Sequence, residues 1–439
     1  MKICMMTNTY LPHVGGVARS VSTFAEEYVK LGNQVLVVAP TFEGKPLPKR
    51  AEAFVERVPA IQKFNGSDFS VRLPVATVLS QRLDDFAADI IHAHHPFLLG
   101  DTALRVAASK NSPVIFTHHT KYEDYTHYVP FDSPALREFA INLSTHFANL
   151  CDGVIAPSDS IAELIKSRGV EVPIRVVPTG IDVEAFASGD RAKMRRKFNL
   201  GDDVFVVGHV GRLAPEKNLE FLANGVARFL KNTPEARFFV VGHGSAEEKL
   251  KDIFAKHGVS EQLILAGKQT GPNLTAAYRA MDVFAFASKS ETQGMVLAEA
   301  MAAHLPVVAL DASGVREVVR HNHNGYLLPE DASPERFAKS LQKLFESPER
   351  CAAFVRAADE TAQEFSREHC AKLALDFYAD TLKATRRERL LNWLNPWGVM
   401  LERLSVEWNL LAEKAQAAVQ AMAVNSNSTP TEETEQKAS

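Results

Sequence analysis

Val204-Phe205-Val206-Val207-Gly208-His209-Val210-Gly211-Arg212-Leu213-Ala214-Pro215-Glu216-Lys217-Asn218, followed at once by Leu219–Leu230, is the stretch that decides the fold. An apolar run too short for a helix leads into a loop with glycine and proline, and then into a helical period. That order reads as strand, loop, helix. The chain opens the same way, with Ile3–Met6, the loop Thr7–Gly16 and the helical stretch Val17–Leu31. Between these two starts lie the strand-like runs Gln34–Ala39, Ile90–Ala93, Val114–Thr117 and Val154–Ala156. After the second start come Phe238–Val241, Leu263–Leu265, Val283–Phe286 and Val307–Leu310. Thr102–Lys110 and Leu274–Met281 supply further helical periods.

Continuous apolar strands alternating with helices predict parallel sheets covered on both faces. The restart near residue 204 predicts two such units, each α/β and doubly wound in the Rossmann manner. The boundary is expected in Pro178–Asp202, which gives an N-terminal unit over 1–180 and a second over 181–365. A helical extension is expected over 366–423, crossing back toward the first unit. Asn425–Ser439 is polar and without apolar period, so a disordered tail is expected over 424–439. Ligands of doubly wound sheets sit beyond the carboxyl ends of the strands, so two facing sheets are expected to share one cleft.

Composition narrows the function. Of 439 residues 46% are hydrophobic and 23% charged, as in an ordinary soluble globular protein, and the net charge of −4 argues against a nucleic-acid partner. Cys4, Cys151, Cys351 and Cys370 are scattered, with neither metal-ligand nor disulfide-framework spacing. The polar Thr7, Asn8 and Thr9 end the first apolar run before it becomes a signal-peptide core, and no stretch has the ~20 apolar residues of a spanning helix. A cytoplasmic protein is expected, with contact to a membrane surface left open.

Three loops carry the chemistry. Gly15-Gly16 lets backbone approach a ligand, and the amides at the helix start favour an anion. The same pair equally makes a tight strand–helix turn. Arg212 and Lys217 emerge at a strand end just before a helix, where a planar fork and a mobile point charge can neutralise a diphosphate. Ser290-Glu291-Thr292-Gln293-Gly294-Met295-Val296-Leu297-Ala298-Glu299 follows a strand and opens a helix. Amides around Gly294, Met295 and Val296 can receive a phosphate, and a carboxylate on each side can bind hydroxyls. Glu291 is expected in the loop and Glu299 about one turn into the helix.

Seven residues between Glu291 and Glu299 resemble the signature of the family 4 retaining glycosyltransferases. Gly15-Gly16 and the run Gly211–Lys217 match the same family in order and spacing, over roughly residues 1–385. The resemblance implies the GT-B architecture of two Rossmann-like domains, a nucleotide-sugar donor, retention of anomeric configuration and no metal or other cofactor. It implies that Arg212 and Lys217 hold the donor diphosphate, Glu299 the ribose and Glu291 the donor sugar, with Gly16 against the phosphates or sugar. It also implies that His119 reaches the reaction centre.

The segment Phe116–Pro130 is dense in hydrogen-bonding side chains, and its part Thr120–Pro130 resembles the loop of family members that glycosylate diacylglycerol. Tyr122 and Asp124 are then acceptor contacts, and UDP-glucose the expected donor. His92, His94 and His95 form a cluster that suits either a metal or a cleft wall; the wall is preferred and no metal is assigned. Trp393, Trp397 and Trp408 lie near Arg386, Arg387 and Arg389, a composition that serves an interfacial helix or a packing helix equally. The basic run Arg191–Lys197 offers a membrane patch or a solvated helix face. A soluble or polysaccharide-precursor acceptor and, from another class, a nucleotide-sugar epimerase remain as alternatives.

Overall fold

The computed structural model describes residues 1–13, 15–42, 52–61, 71–72, 77–124 and 133–392. The tail expected over 424–439, the part of the expected helical extension from 393 to 423 with the three tryptophans, and residues 125–130 of the expected acceptor loop lie outside them.

The first sheet is built from β1 (Lys2–Met6), β2 (Gln34–Pro40), β3 (Val55–Val58), β6 (Ile90–Ala93), β7 (Val114–Thr117), β8 (Gly153–Ala156) and β9 (Ile174–Val176). A short antiparallel pair, β4 (Ala60–Ile61) and β5 (Val71–Arg72), stands apart from it. The spatial order is β3-β2-β1-β6-β7-β8-β9. Its registered pairs are parallel, with Met5 opposite both Val37 and His92. Strands β6, β7 and β8 are buried along their whole length, which explains why they read as mainly apolar runs, with the polar His92 and Thr117 buried among them.

The second sheet contains β10 (Phe205–Val210), β11 (Ala236–Val241), β12 (Leu263–Gly267), β13 (Val283–Phe286), β14 (Val307–Leu310) and β15 (Gly325–Leu328), in the order β12-β11-β10-β13-β14-β15. It too is parallel. Its two faces carry separate buried clusters. One holds Phe239, Phe284, Tyr278 and Met301; the other holds Val207, Phe238, Leu222 and Phe337. In both sheets the order reverses at the first strand, β1 or β10, and such a switch point is where α/β sheets open a crevice for ligands.

The chain forms two compact units. One comprises Met1–Ala156, Ala162–Arg175 and Asp376–Ser439, the other Pro157–Ile161 and Val176–Leu375. The turn Thr179–Asp182 is tied down within the second unit. Ile181 N–H donates to Phe365 O (2.8 Å) and Arg367 N–H donates to Ile181 O (3.1 Å). A side chain at Gly180 would press within 2.4 Å of the Arg367 Cα. The helix Arg367–Asn392 therefore starts in the second unit, and its residues from Asp376 belong to the first.

The basic run at 191–197 is partly internal, which removes it as a patch made of all its charges. It forms the short helix Arg191–Lys197, capped by Asp190. Arg195 is 1% exposed and donates to the carbonyls of Ala280, Gly201 and Val204. Arg191 donates to the carbonyls of Arg279 and Met281 and pairs with Asp282 at 2.7 Å. These two guanidiniums bind neighbouring carbonyls in the second unit rather than facing a lipid surface.

Candidate active site

In the second unit the site begins where β10 ends. The loop after it is fixed by backbone: Gly211 N–H donates to Val241 O (3.0 Å) and Leu213 N–H to His243 O (3.1 Å). Gly242 and Gly244 allow this, because a Cβ on either would come within 2.2 Å of a carbonyl oxygen of Gly211 or Leu213. Pro215–Lys217 then forms a short 3-10 turn. Asn218, in the left-handed region, turns the chain into the helix Leu219–Lys231 and donates its side-chain amide to Ala287 O (3.1 Å). Leu213 is buried while the Arg212 side chain is half exposed. The loop thus has an apolar anchor and a cation facing outward.

That anchoring brings two predicted residues together and ties a third, Arg212, to the same loop. Lys217 Nζ lies 2.7 Å from Glu291, with both side chains 19% exposed. Arg212 pairs with Glu216, one helical turn ahead of it. Ser290 Oγ donates to Glu216 O at 3.3 Å, so the loop after β13 and the loop after β10 form one cluster. Both come from carboxyl ends of adjacent strands.

Glu291 sits in the loop and Glu299 in the helix Met295–Ala302. Gly294, at φ +69°, caps that helix, and a Cβ there would meet Gly314 O at 2.4 Å, so only glycine fits. The first-turn amides of Met295 and Val296 precede the helix's own hydrogen-bond ladder. Gln293 is clamped to Thr179: its Oε1 accepts from Thr179 N–H (2.7 Å) and its Nε2 donates to Thr179 O (2.8 Å). Glu299 is 1% exposed and accepts a hydrogen bond from the Tyr278 hydroxyl at 2.7 Å. Neither Tyr278 nor Gln293 was singled out from the sequence. Tyr278 was legible only as an aromatic in a helical stretch.

In the first unit the predicted residues fall into a different chemistry. Gly15 caps the helix Gly16–Lys30, and Gly16 is exposed with nothing within 4 Å of where a Cβ would stand. Asn8, nearly buried, braces the loop before them: its N–H donates to His95 Nδ1 (3.1 Å), its amide donates to Phe97 O and it accepts from Leu99 N–H. His119 follows β7, half-buried, and its Nε2 shares a hydrogen bond with His94 Nδ1 at 2.9 Å. His92 is held at both ring nitrogens, 2.6 Å from Thr117 Oγ1 and 2.6 Å from the Tyr378 hydroxyl. Tyr378 comes from the C-terminal helix and also bonds the Tyr28 hydroxyl at 3.0 Å.

Burial keeps this cluster neutral. It pushes His92 and His95 down to about 3 and His118 down to about 4. His94 and His119 are held well below the usual imidazole value, first by burial and then by the neighbouring histidines. Among the described residues no group of three or more His, Cys, Asp or Glu side chains is arranged to hold a metal ion. The two acceptor candidates part company. The Tyr122 hydroxyl is buried without a hydrogen-bond partner among the described residues, whereas Asp124 is exposed and paired with Lys121 at 2.9 Å.

Comparison with known proteins decides the family. The description "Glycosyltransferase Family 4" matches residues 14–185, and "Glycosyl transferases group 1" matches residues 190–361. The D-inositol 3-phosphate glycosyltransferase of Acidothermus cellulolyticus is 31% identical over 317 residues, 68% of each chain. This chain is a family 4 glycosyltransferase. It is also 26% identical over 403 residues to the alpha-monoglucosyldiacylglycerol synthase of Acholeplasma laidlawii, covering 88% of this chain and 99% of that one. Among solved structures, Anabaena Alr3699/HepE in complex with UDP-glucose aligns with a TM-score of 0.66 at 22% identity, over 88% of this chain and all of that one. The fold is GT-B, two Rossmann-like domains.

Proposed function

We propose that this family 4 glycosyltransferase moves glucose from UDP-glucose to a hydroxyl of diacylglycerol, with retention and without a metal, at the cytoplasmic face of a membrane. One observation carries the reading: Lys217 and Glu291, 74 residues apart, stand 2.7 Å from each other at adjacent strand ends beside Arg212. A cation pair flanked by carboxylates suits a sugar diphosphate. The near full-length likeness to an alpha-monoglucosyldiacylglycerol synthase supports the glucose and the lipid.

In this reading Arg212 and Lys217 exchange their carboxylate partners for the donor diphosphate. Cleavage of the donor C–O bond builds negative charge on that diphosphate and positive charge on the sugar ring. Fixed cations, with the amides of Met295 and Val296, favour that transition state over the bound donor. The departing phosphate oxygen takes the proton of the acceptor hydroxyl as the new bond forms on the same face. No protein nucleophile is needed, unlike a retaining glycosidase with its paired carboxylates. Glu299, oriented by Tyr278, binds the ribose hydroxyls, and Glu291 the sugar. Gly15 and Gly16 leave room for the donor, His119 reaches the reaction centre, and Tyr122 and Asp124 contact the acceptor. With Arg212 and Lys217 as the charge clamp, chelation by EDTA leaves turnover intact.

The second reading is a soluble acceptor. The likeness to a D-inositol 3-phosphate glycosyltransferase favours it, as does the internal placement of Arg191 and Arg195. No described helix is long and apolar enough to cross a membrane, which suits either acceptor. Nucleotide release is to be measured with UDP-glucose and other nucleotide sugars, with and without diacylglycerol or inositol phosphate. Release that needs diacylglycerol supports the first reading, and release that needs the phosphate supports the second. Interconversion of sugars with no acceptor overturns both in favour of an epimerase.

A further inference from the structure

We propose that His94 is a positioning residue for His119, donating its Nδ1–H to His119 Nε2 so that His119 presents an Nδ1–H donor to the reacting sugar. The inference rests on the glycosyl-transfer reading above and extends it to a residue with no assigned role.

The geometry defines the pair. The two rings lie edge to edge, with centroids 5.2 Å apart, planes 22° from parallel and the facing nitrogens 2.9 Å apart. His94 is fully buried, and its backbone N–H is fixed to Met6 O at 3.0 Å. On its other side His92 packs at 4.0 Å between centroids, itself fixed by Thr117 and Tyr378. His94 has no freedom to turn away. His119 is half-buried, and its Nδ1 is not among the sealed polar atoms that lack a partner.

Which nitrogen carries the proton follows from the far end of His94. Its Nε2 is buried and has no hydrogen-bond partner among the described residues. If His119 donated Nε2–H to His94 Nδ1, the proton of neutral His94 would sit on Nε2 as an orphaned buried N–H. If His94 donates, Nε2 is a bare lone pair. Buried orphan N–H groups are rarer than under-satisfied acceptors, so the second arrangement is favoured. Burial keeps both rings neutral, so one proton lies between them and the choice is binary. The hydrogen bond at one imidazole nitrogen then sets what the other presents.

Three variants separate the roles. His94→Phe keeps a flat aromatic ring but offers no hydrogen bond. His94→Asn places an amide N–H near the position of Nδ1–H. His94→Asp accepts only, and so draws the His119 proton to Nε2. The expected result is a kcat lowered at least about tenfold in His94→Phe and His94→Asp, with donor KM changed no more than about twofold, and largely restored kcat in His94→Asn. In 15N-histidine NMR spectra, the signals that vanish in His119→Gln identify His119. They are expected to show a proton on Nδ1 in the wild type and His94→Asn, and on Nε2 in His94→Asp.

A wild type protonated at His119 Nε2, or a His94→Phe enzyme with full kcat, overturns the proposal. Wild-type protein that turns over no nucleotide sugar sinks the glycosyl-transfer reading instead. The NMR spectra then still decide the tautomer.

Discussion

The two units place their candidate chemistry at carboxyl ends of parallel strands, yet they equip it in opposite ways. After β10 and β13 the side chains are ionic, Arg212 with Glu216 and Lys217 with Glu291, and partly open to water. After β6 and β7 they are imidazoles, mostly buried and neutral, hydrogen-bonded to one another, to Thr117 and to Tyr378. Fixed charge serves a ligand that arrives charged, such as a diphosphate. Neutral imidazoles serve hydroxyls, which need aimed donors and acceptors rather than a field. The difference teaches that one repeated scaffold divides the labour by what it buries.

The sharpest way to break the comparison is acid. Folded His92, His94, His95 and His118 stay neutral, while the same residues in the unfolded chain take up protons below about 6.5. The unfolded state then binds more protons, so stability falls as pH drops from 6.5 toward the folded values. The loss approaches ~1.4 kcal/mol per pH unit for each such histidine. The second unit has one such histidine among those described, His209 on β10, lowered to about 4 by burial. Exchange protection, corrected for the intrinsic rate at each pH, should therefore fall far more in β6 and β7 between pH 7 and pH 5 than in β10 and β13. An equal loss of protection would contradict the neutral cluster.

Charge removal tests the other side. Lys217→Ala is expected to lower turnover about 10²–10³-fold, the scale for one transition-state donor, with little change in melting temperature. Near-normal turnover of both Lys217→Ala and Arg212→Ala would take the ionic cluster out of the reaction. Gly16→Val sharpens the steric part. A Cβ at this position meets nothing in the protein, so stability should hold while turnover drops about tenfold or more through conflict with the donor. The smallest effect is expected from Glu299→Gln, which weakens the ribose hydrogen bonds and should raise donor KM about tenfold at similar kcat. Unchanged nucleotide affinity in a direct titration would remove the ribose role.

Much of this was legible in the sequence, for a physical reason. Ile90–Ala93, Val114–Thr117, Val283–Phe286 and Val307–Leu310 coincide with their observed strands because central parallel strands are buried on both faces and read as apolar runs. The strands that escaped notice are at sheet edges. Val55–Val58 interposes Glu56 and Arg57, Ile174–Val176 is three residues long, and Gly325–Leu328 opens on a glycine. That glycine permits close approach to β14, since a Cβ would meet Val307 O at 2.1 Å.

Among the candidate site residues, Arg212, Lys217, Glu291 and Glu299 stand out because loop position and spacing are local properties. The pairing of Lys217 with Glu291, the Tyr278–Glu299 bond and the His94–His119 bond depend on contacts 21 to 74 residues apart. No local pattern encodes them. The internal use of Arg191 and Arg195 was hidden for the same reason, since the carbonyls that absorb them lie mostly elsewhere in the chain.

The central claim is that glucose passes to diacylglycerol with its configuration kept and no metal required. The most direct test is the anomeric signal of the product. Protein treated with EDTA is incubated with UDP-glucose labelled with 13C at the anomeric carbon and with diacylglycerol in vesicles, and the extracted lipid is read by NMR. The account predicts a glucosyl diacylglycerol whose anomeric proton–carbon coupling is that of the α-glucoside, as in the donor. A β-linked product, or a lipid that acquires label only when magnesium or manganese is restored, would contradict it.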